Sequence, residues 1–173
     1  MIILRKPIAG LSEVALARFV AKATRSVRLK GEVNVLVTNN GELRRLNRSF
    51  RRMDKPTDVL SFPAASDLSA RLAGDVAISA EIAARNAQQL GHSTAQEIKI
   101  LALHGVLHLA GYDHERDHGE MAWKEQRLRR SLGLPVGLIE RSNQSQELLI
   151  AKNAKTAQRT LRKLGTTRVR TRS

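Results

Sequence analysis

The spacing of apolar and polar residues divides most of the chain into strands and helices. Val33, Val35 and Val37 alternate with their neighbours, which is typical of a half-buried strand, and the polar run at 39–41 ends it. Three further apolar runs of strand length predict strands at residues 2–4, 57–62 and 74–79. Four strands are therefore expected, separated by segments of helical periodicity.

Apolar residues three or four positions apart predict five helices. They cover residues 11–27, the segment around 43–51, residues 79–90, a helix beginning near 95, and a last amphipathic helix from Glu115 to Leu132. The apolar positions of this last helix include Met121, Trp123 and Leu128. Ser12 is a candidate N-cap of the first helix, and residues 94–97 have the capping-box pattern. The fourth helix is apolar almost all round, which predicts that it lies in the core and that a site on it lies at the bottom of a cleft.

Length and composition predict one domain with a basic tail. The chain has 173 residues, and its composition becomes polar and basic after Arg141, so residues 1–140 are expected to fold as a domain and residues 141–173 to form a flexible extension. The chain contains no cysteine, which leaves His, Asp and Glu as ligands for a metal.

Charge favours a polyanionic partner. The net charge is +14, of which nine basic residues and one acid in 141–173 contribute +8 and the remaining 140 residues +6. Nucleic acid is the leading partner class, although a basic surface alone also promotes solubility. Because Arg5 and Lys6 interrupt the N-terminal apolar residues, neither a secretory leader nor a membrane span is predicted, and a cytoplasmic location is expected.

Three histidines fall within eleven residues and have the spacing of metal ligands. His104 and His108 are four residues apart, so on a helix they share one face. Gly111 can end that helix in a left-handed conformation and let His114 approach the same ion. Three imidazoles with one open position are the donor set of catalytic zinc, whereas structural zinc has four protein ligands. His92 and His118 are weaker candidates, and a surface position is expected for His118.

The same spacing occurs in metzincin proteases, whose motif begins His-Glu. Here Gly105 occupies the position of the glutamate that takes a proton from water in those enzymes. The pattern therefore keeps the metal ligands but argues against peptide hydrolysis.

A basic cluster precedes the third strand. It comprises Arg48, Arg51, Arg52 and Lys55, and Pro56 prevents a helix from continuing past it. The cluster is either a solvated surface or a substrate-binding site in which one arginine binds a phosphate through paired hydrogen bonds. Spacing alone does not select the arginine.

The run His104–His114, preceded by Thr-Asp-Val-Leu-Ser-Phe-Pro at 57–63 and Gly-Asp-Val at 74–76, resembles the YbeY family of bacterial endoribonucleases and ribosomal RNA maturation factors. The resemblance implies a single α/β domain with a four-stranded mixed sheet and surrounding helices. It also implies that His104, His108 and His114 bind one Zn²⁺ and that Arg51, after Phe50, is catalytic.

The activity implied by the resemblance is metal-assisted cleavage of single-stranded RNA, in maturation of small-subunit ribosomal RNA and ribosome quality control, with ribosomal or assembly-factor proteins as possible partners. Arg51 would stabilise the charge that develops on phosphorus. The general base is open, with Asp113 as one candidate. A non-catalytic RNA-binding assembly factor with a structural metal is the main alternative, and a metallopeptidase is the weaker one.

Overall fold

The computed structural model describes residues 1–65, 71–114 and 116–135. Within them lie four strands and five helices in the order β1 (Ile2–Leu4), α1 (Glu13–Ser26), β2 (Glu32–Thr38), α2 (Asn40–Arg51), β3 (Val59–Pro63), β4 (Leu72–Ser79), α3 (Ala80–Leu90), α4 (Thr94–Leu109) and α5 (Glu120–Leu132). The predicted tail at 141–173 lies outside the described residues.

The four strands form one mixed sheet in the order β1-β2-β4-β3. β1 and β4 both pair in parallel with β2, and β3 pairs antiparallel with β4 and forms an edge. Val33, Val35 and Val37 are buried, as their alternation predicts. The α/β class and the four-stranded mixed sheet are therefore confirmed.

Two helices cover opposite faces of the β3–β4 pair. On one face, Leu43 of α2 packs with Leu60 and Ala77. On the other face, Gly105 of α4 lies against Val76. Val76 and Ala77 face opposite sides because successive residues of a strand alternate between the two faces of the sheet. α4 also packs against α1 and α3, and its buried residues are distributed around its whole circumference, so the prediction of a core helix is confirmed.

Three local predictions are corrected by the structure. The capping box of α4 is formed by Ser93 and Gln96 and not by residues 94–97, because Ser93 accepts from the Gln96 N–H and the Gln96 side chain accepts from the Ser93 N–H. α5 begins at Glu120 and not at Glu115, since the Asp117 carboxylate accepts from the N–H groups of Gly119 and Met121 and holds the preceding residues in a turn.

The third correction concerns Trp123, which follows the apolar rhythm of α5 in the sequence. Its side chain is 59% exposed, whereas Met121 and Leu128 on the same helix are buried. In the described segments, none of the helices is long and apolar enough to cross a membrane.

Candidate metal centre

The C-terminal half of α4 and the loop after it bring three histidines together. His104 and His108 lie one turn apart on α4. Gly111 has a φ of 88°, a left-handed conformation that favours glycine and turns the chain so that His114 returns toward the helix. One ring nitrogen from each histidine lies within 4.8 Å of the others.

The spacing of the rings fits a zinc ion. The Nε2 atoms of His104 and His108 are 3.1 Å apart, close to the separation of about 3.3 Å between two ligands that each lie about 2.0–2.1 Å from a tetrahedral zinc. The group contains three imidazoles within the segments that the structure describes. His104 is buried and His114 exposed, so the centre begins in the core and opens at the surface.

Burial and the neighbouring imidazoles keep His108 uncharged at neutral pH. Its half-buried ring loses hydration, and His104 and His114 would repel a second positive charge, which together lower the pKa of His108 to about 4. A metal ion requires the neutral imidazole, so this ring is ready to coordinate without first losing a proton.

A buried ionic chain on α5 supports the first histidine. The Nδ1 atom of His104 lies 3.0 Å from the Glu125 carboxylate, whose other oxygen accepts from Nη1 of Arg129 at 3.1 Å. Glu125 and Arg129 are 1% and 2% exposed. A carboxylate at Nδ1 favours the tautomer with its proton on that nitrogen, so the lone pair on Nε2 faces the other histidines.

Sequence reasoning missed Glu125, although a signal was present. Glu125 lies four residues after Met121 and three before Leu128, on the apolar face of α5. A charged residue at a core-facing position needs a partner, because an unpaired buried charge is strongly unfavourable. The signal did not identify His104 as that partner, since the two residues are 21 positions apart.

Replacing Glu125 with glutamine is expected to weaken zinc binding about ten- to a hundredfold, because the side chain keeps its shape but no longer holds His104 and Arg129 by charge. The measurement is competition for Zn²⁺ with a chelating dye, on protein whose circular dichroism matches the native spectrum. Glu120→Gln, which neutralises an exposed carboxylate on the same helix, is the control. Equal changes in zinc affinity in both variants would contradict the role assigned to Glu125.

Gly105 shows why a protease-type glutamate is absent from α4. A Cβ at this position would lie 2.7 and 2.9 Å from the two γ-carbons of Val76 and 3.1 Å from Oγ of Ser61. Both neighbours belong to the sheet, so neither can move without disturbing β3 or β4. The helix can approach the sheet this closely only because residue 105 has no side chain, and a glutamate would not fit.

The basic cluster lies at and after the end of α2, the helix that packs on the face of the β3–β4 pair opposite to α4. Arg51 is the last residue of α2, and it is exposed, as are Arg48, Arg52 and Lys55. Asn47 is buried and donates to the Lys55 carbonyl at 2.8 Å, which fixes the loop after the helix. Among the described residues, no hydrogen bond or ion pair joins Arg51 to the histidines.

Both sites nevertheless approach the same end of β3. The ring of Phe50, the neighbour of Arg51, is 4.8 Å from that of Phe62. A Cβ built on Gly74 would lie 2.4 Å from the Phe62 carbonyl oxygen and 2.7 Å from Cδ2 of Leu109, the neighbour of His108. The edge strand is therefore the element between the basic cluster and the metal centre.

The two remaining histidines lie outside the group. His118 is exposed, in line with the expected surface position. The side chain of His92 is 7% exposed, and its Nε2 lies 2.7 Å from the buried carboxylate of Glu97. This pair links the loop before α4 to the helix.

Comparisons with known proteins agree with this geometry. The family model described as endoribonuclease YbeY matches residues 8–133. A protein of Koribacter versatilis with that name is 57% identical over 142 residues, which are 82% of this chain and 91% of the relative. A protein of Solibacter usitatus with the same name is 49% identical over 137 residues, 79% of this chain and 90% of the relative.

A solved structure also matches the fold. The solution structure of a Thermotoga maritima protein superposes with a TM-score of 0.51 at 29% identity, covering 76% of this chain and 89% of the other. The family match covers most of the described residues and includes strands β2 to β4, the histidine group and the basic cluster. The chain therefore belongs to the endoribonuclease YbeY family.

Proposed function

We propose that this chain is a zinc-dependent endoribonuclease that cleaves single-stranded RNA during maturation of small-subunit ribosomal RNA and in ribosome quality control. The observation that carries the proposal is the group of three imidazoles in a chain of the endoribonuclease YbeY family, one buried, one half-buried and one exposed. Such a group offers a metal three protein ligands and leaves one side open to a substrate.

His104, His108 and His114 would hold the ion. A zinc ion with an open position supplies a Lewis acid for a phosphoryl oxygen and lowers the pKa of a water molecule. Asp113, which directly precedes His114 and is half-buried, is the carboxylate best placed in sequence to accept a proton, and its ion pair with Arg116 at 3.5 Å keeps it oriented at the surface.

Arg51 is proposed to bind and stabilise the phosphate that reacts. Its guanidinium is exposed at the end of α2, beside further cations of the basic cluster. An RNA strand that passes over the edge of β3 at Phe62 would contact the basic cluster on one face of the sheet and the histidines on the other. Arginine suits this role because its paired N–H groups match phosphate oxygens.

The edge of β3 also disfavours the peptidase alternative. The carbonyl of Asp58 accepts a hydrogen bond from the Ser79 N–H at 2.8 Å. Because backbone groups in an antiparallel pair alternate between the partner strand and the outside, those of Val59, Ser61 and Pro63 point away from β4. The Val59 N–H already donates to the Asp58 carboxylate, and Pro63 has none. A peptide that binds by strand addition needs a row of outward-facing backbone N–H donors. Of these three residues in the described sheet, that leaves the N–H of Ser61.

The alternative of an assembly factor with a structural metal is tested by removing the ion. Dialysis of the full chain against a strong chelator is expected to abolish cleavage of a single-stranded ribosomal RNA fragment, and Zn²⁺ to restore it, while circular dichroism and affinity for a cleavage-resistant RNA change little. Unfolding on chelation, or undiminished cleavage by the metal-free chain, would overturn the proposal. The ribosomal partners and the cytoplasmic location stay predictions.

A further inference from the structure

A concave site lies between the loop after α4, which also carries His114, and the start of α5. Its cavity has a volume of about 480 Å³ and is lined by Tyr112, Gly119, Glu120, Trp123 and Lys124. The volume falls within the range of small-molecule sites. Nothing in the proposed mechanism uses these side chains.

The chain's one tyrosine and one tryptophan both line this cavity. Tyr112 is fixed to the end of α4, because its N–H donates to the Leu107 carbonyl at 3.1 Å. Trp123 is 59% exposed, which is unusual for so large an apolar ring. Two aromatic side chains at an open cavity provide surfaces on which a flat ring can stack.

The charges around the cavity suit one strand of a nucleic acid. Lys124 lines the wall, and the guanidinium carbon of Arg127 lies 5.5 Å from the centre of the Trp123 ring. These cations can approach phosphates, while the Glu120 carboxylate can accept a hydrogen bond from an exocyclic amine of a base. Aromatic rings beside cations are the usual arrangement of sites for single strands.

Position connects the cavity to the cleavage site. Tyr112 and Gly119 are both lining residues, and they bracket the segment that carries His114. The Asp117 carboxylate accepts from the N–H groups of Gly119 and Met121, both at 2.8 Å, so the wall nearest that segment is fixed. A base held in the cavity would belong to a nucleotide close to the bond that is cut.

We propose that the cavity between Tyr112 and Trp123 binds one unpaired nucleobase of the RNA substrate and positions the neighbouring phosphodiester bond at the three histidines. This inference rests on the proposed endoribonuclease function. It gives the enzyme a preference for single-stranded RNA, because a paired base cannot leave its stack without an added cost. Stacking tolerates every base, so the site selects strandedness more than sequence.

The single tryptophan makes the cavity observable, since its emission reports this site alone. Metal-free full-length chain is titrated with a single-stranded hexamer of adenosine and, separately, with an abasic hexamer that carries the same phosphates. Saturable quenching of Trp123 by the adenosine hexamer, with little by the abasic one, is the expected result. Equal quenching by both, or quenching by neither, would overturn the proposal.

Cleavage kinetics give a second, independent readout. Trp123→Ala is expected to raise KM for a single-stranded substrate about tenfold and also to lower kcat, because the neighbouring bond is no longer held in position, and Trp123→Phe to restore most of both. Val14→Ala is the control, because Val14 is exposed to the same extent, 60%, on a different helix. An unchanged KM in Trp123→Ala would contradict the base site while the native chain still cleaves. No cleavage by the native chain would instead contradict the proposed function.

Discussion

Replacing His114 with alanine is expected to reduce RNA cleavage at least about a thousandfold while the fold is retained, because loss of even one group that stabilises the transition state costs about 10²–10³ in rate. His114 is the third member of the imidazole group, and without it two ring nitrogens on α4 are left to hold the ion. The side chain is exposed and lies after the helix, so its truncation removes little packing.

The matched control for this variant is His118→Ala. His118 is an exposed histidine four residues further along and lies outside the group, so its loss should leave zinc content and cleavage near native values. Zinc per chain, circular dichroism, cleavage rate and affinity for a cleavage-resistant RNA are measured for both variants. Unfolding of His114→Ala would favour a structural role for the ion. A variant that loses its zinc but still cleaves RNA at the native rate would rule out a catalytic role for the ion.

The histidine group could be predicted from the sequence because its geometry is local. Two residues four apart on a helix share a face whatever the rest of the fold does, and Gly111 identifies where the helix ends. The burial of α4 was predictable for a similar reason, since its apolar residues leave no polar face. Neither prediction required knowledge of contacts between residues far apart in the sequence.

The contacts that complete the centre could not be predicted, because they join residues from different elements. Glu125 reaches His104 only through the packing of α5 on α4. The cavity lined by Tyr112 and Trp123 likewise joins the loop after α4 to the start of α5, and no local spacing in the sequence indicates it. The predicted start of α5 was wrong because Asp117 stabilises a turn that apolar spacing does not reveal.

The position of Arg51 also depends on tertiary structure. In the sequence it is one of several cations before a proline, and its role rested on resemblance. The structure puts it at the end of α2, which packs on the opposite face of the β3–β4 pair from α4, and its neighbour Phe50 contacts Phe62 of the edge strand. In the proposed binding mode the RNA passes this edge, which makes Arg51 the sharpest test of the substrate path.

Replacing Arg51 with alanine is expected to lower kcat for RNA cleavage about a hundred- to a thousandfold, because a guanidinium on the reacting phosphate acts mainly in the transition state. Zinc content should not change, since no hydrogen bond or ion pair of the described chain joins Arg51 to the histidines. Arg51→Lys should recover part of the rate, as it keeps the charge but loses the paired hydrogen bonds. The measurement is single-turnover cleavage of a single-stranded ribosomal RNA fragment at equal zinc loading.

Arg45→Ala separates this role from a general effect of charge. Arg45 lies on the same helix, is exposed, and pairs with Glu42, so its loss removes one positive charge at a site remote from the end of α2. If both variants lose the same small factor, Arg51 contributes only to long-range attraction of RNA, and that shared loss should shrink as salt is raised. A large loss in Arg51→Ala alone, persisting at high salt and in kcat, means that the guanidinium contacts the phosphate that reacts. That result would support a substrate path over the edge of β3.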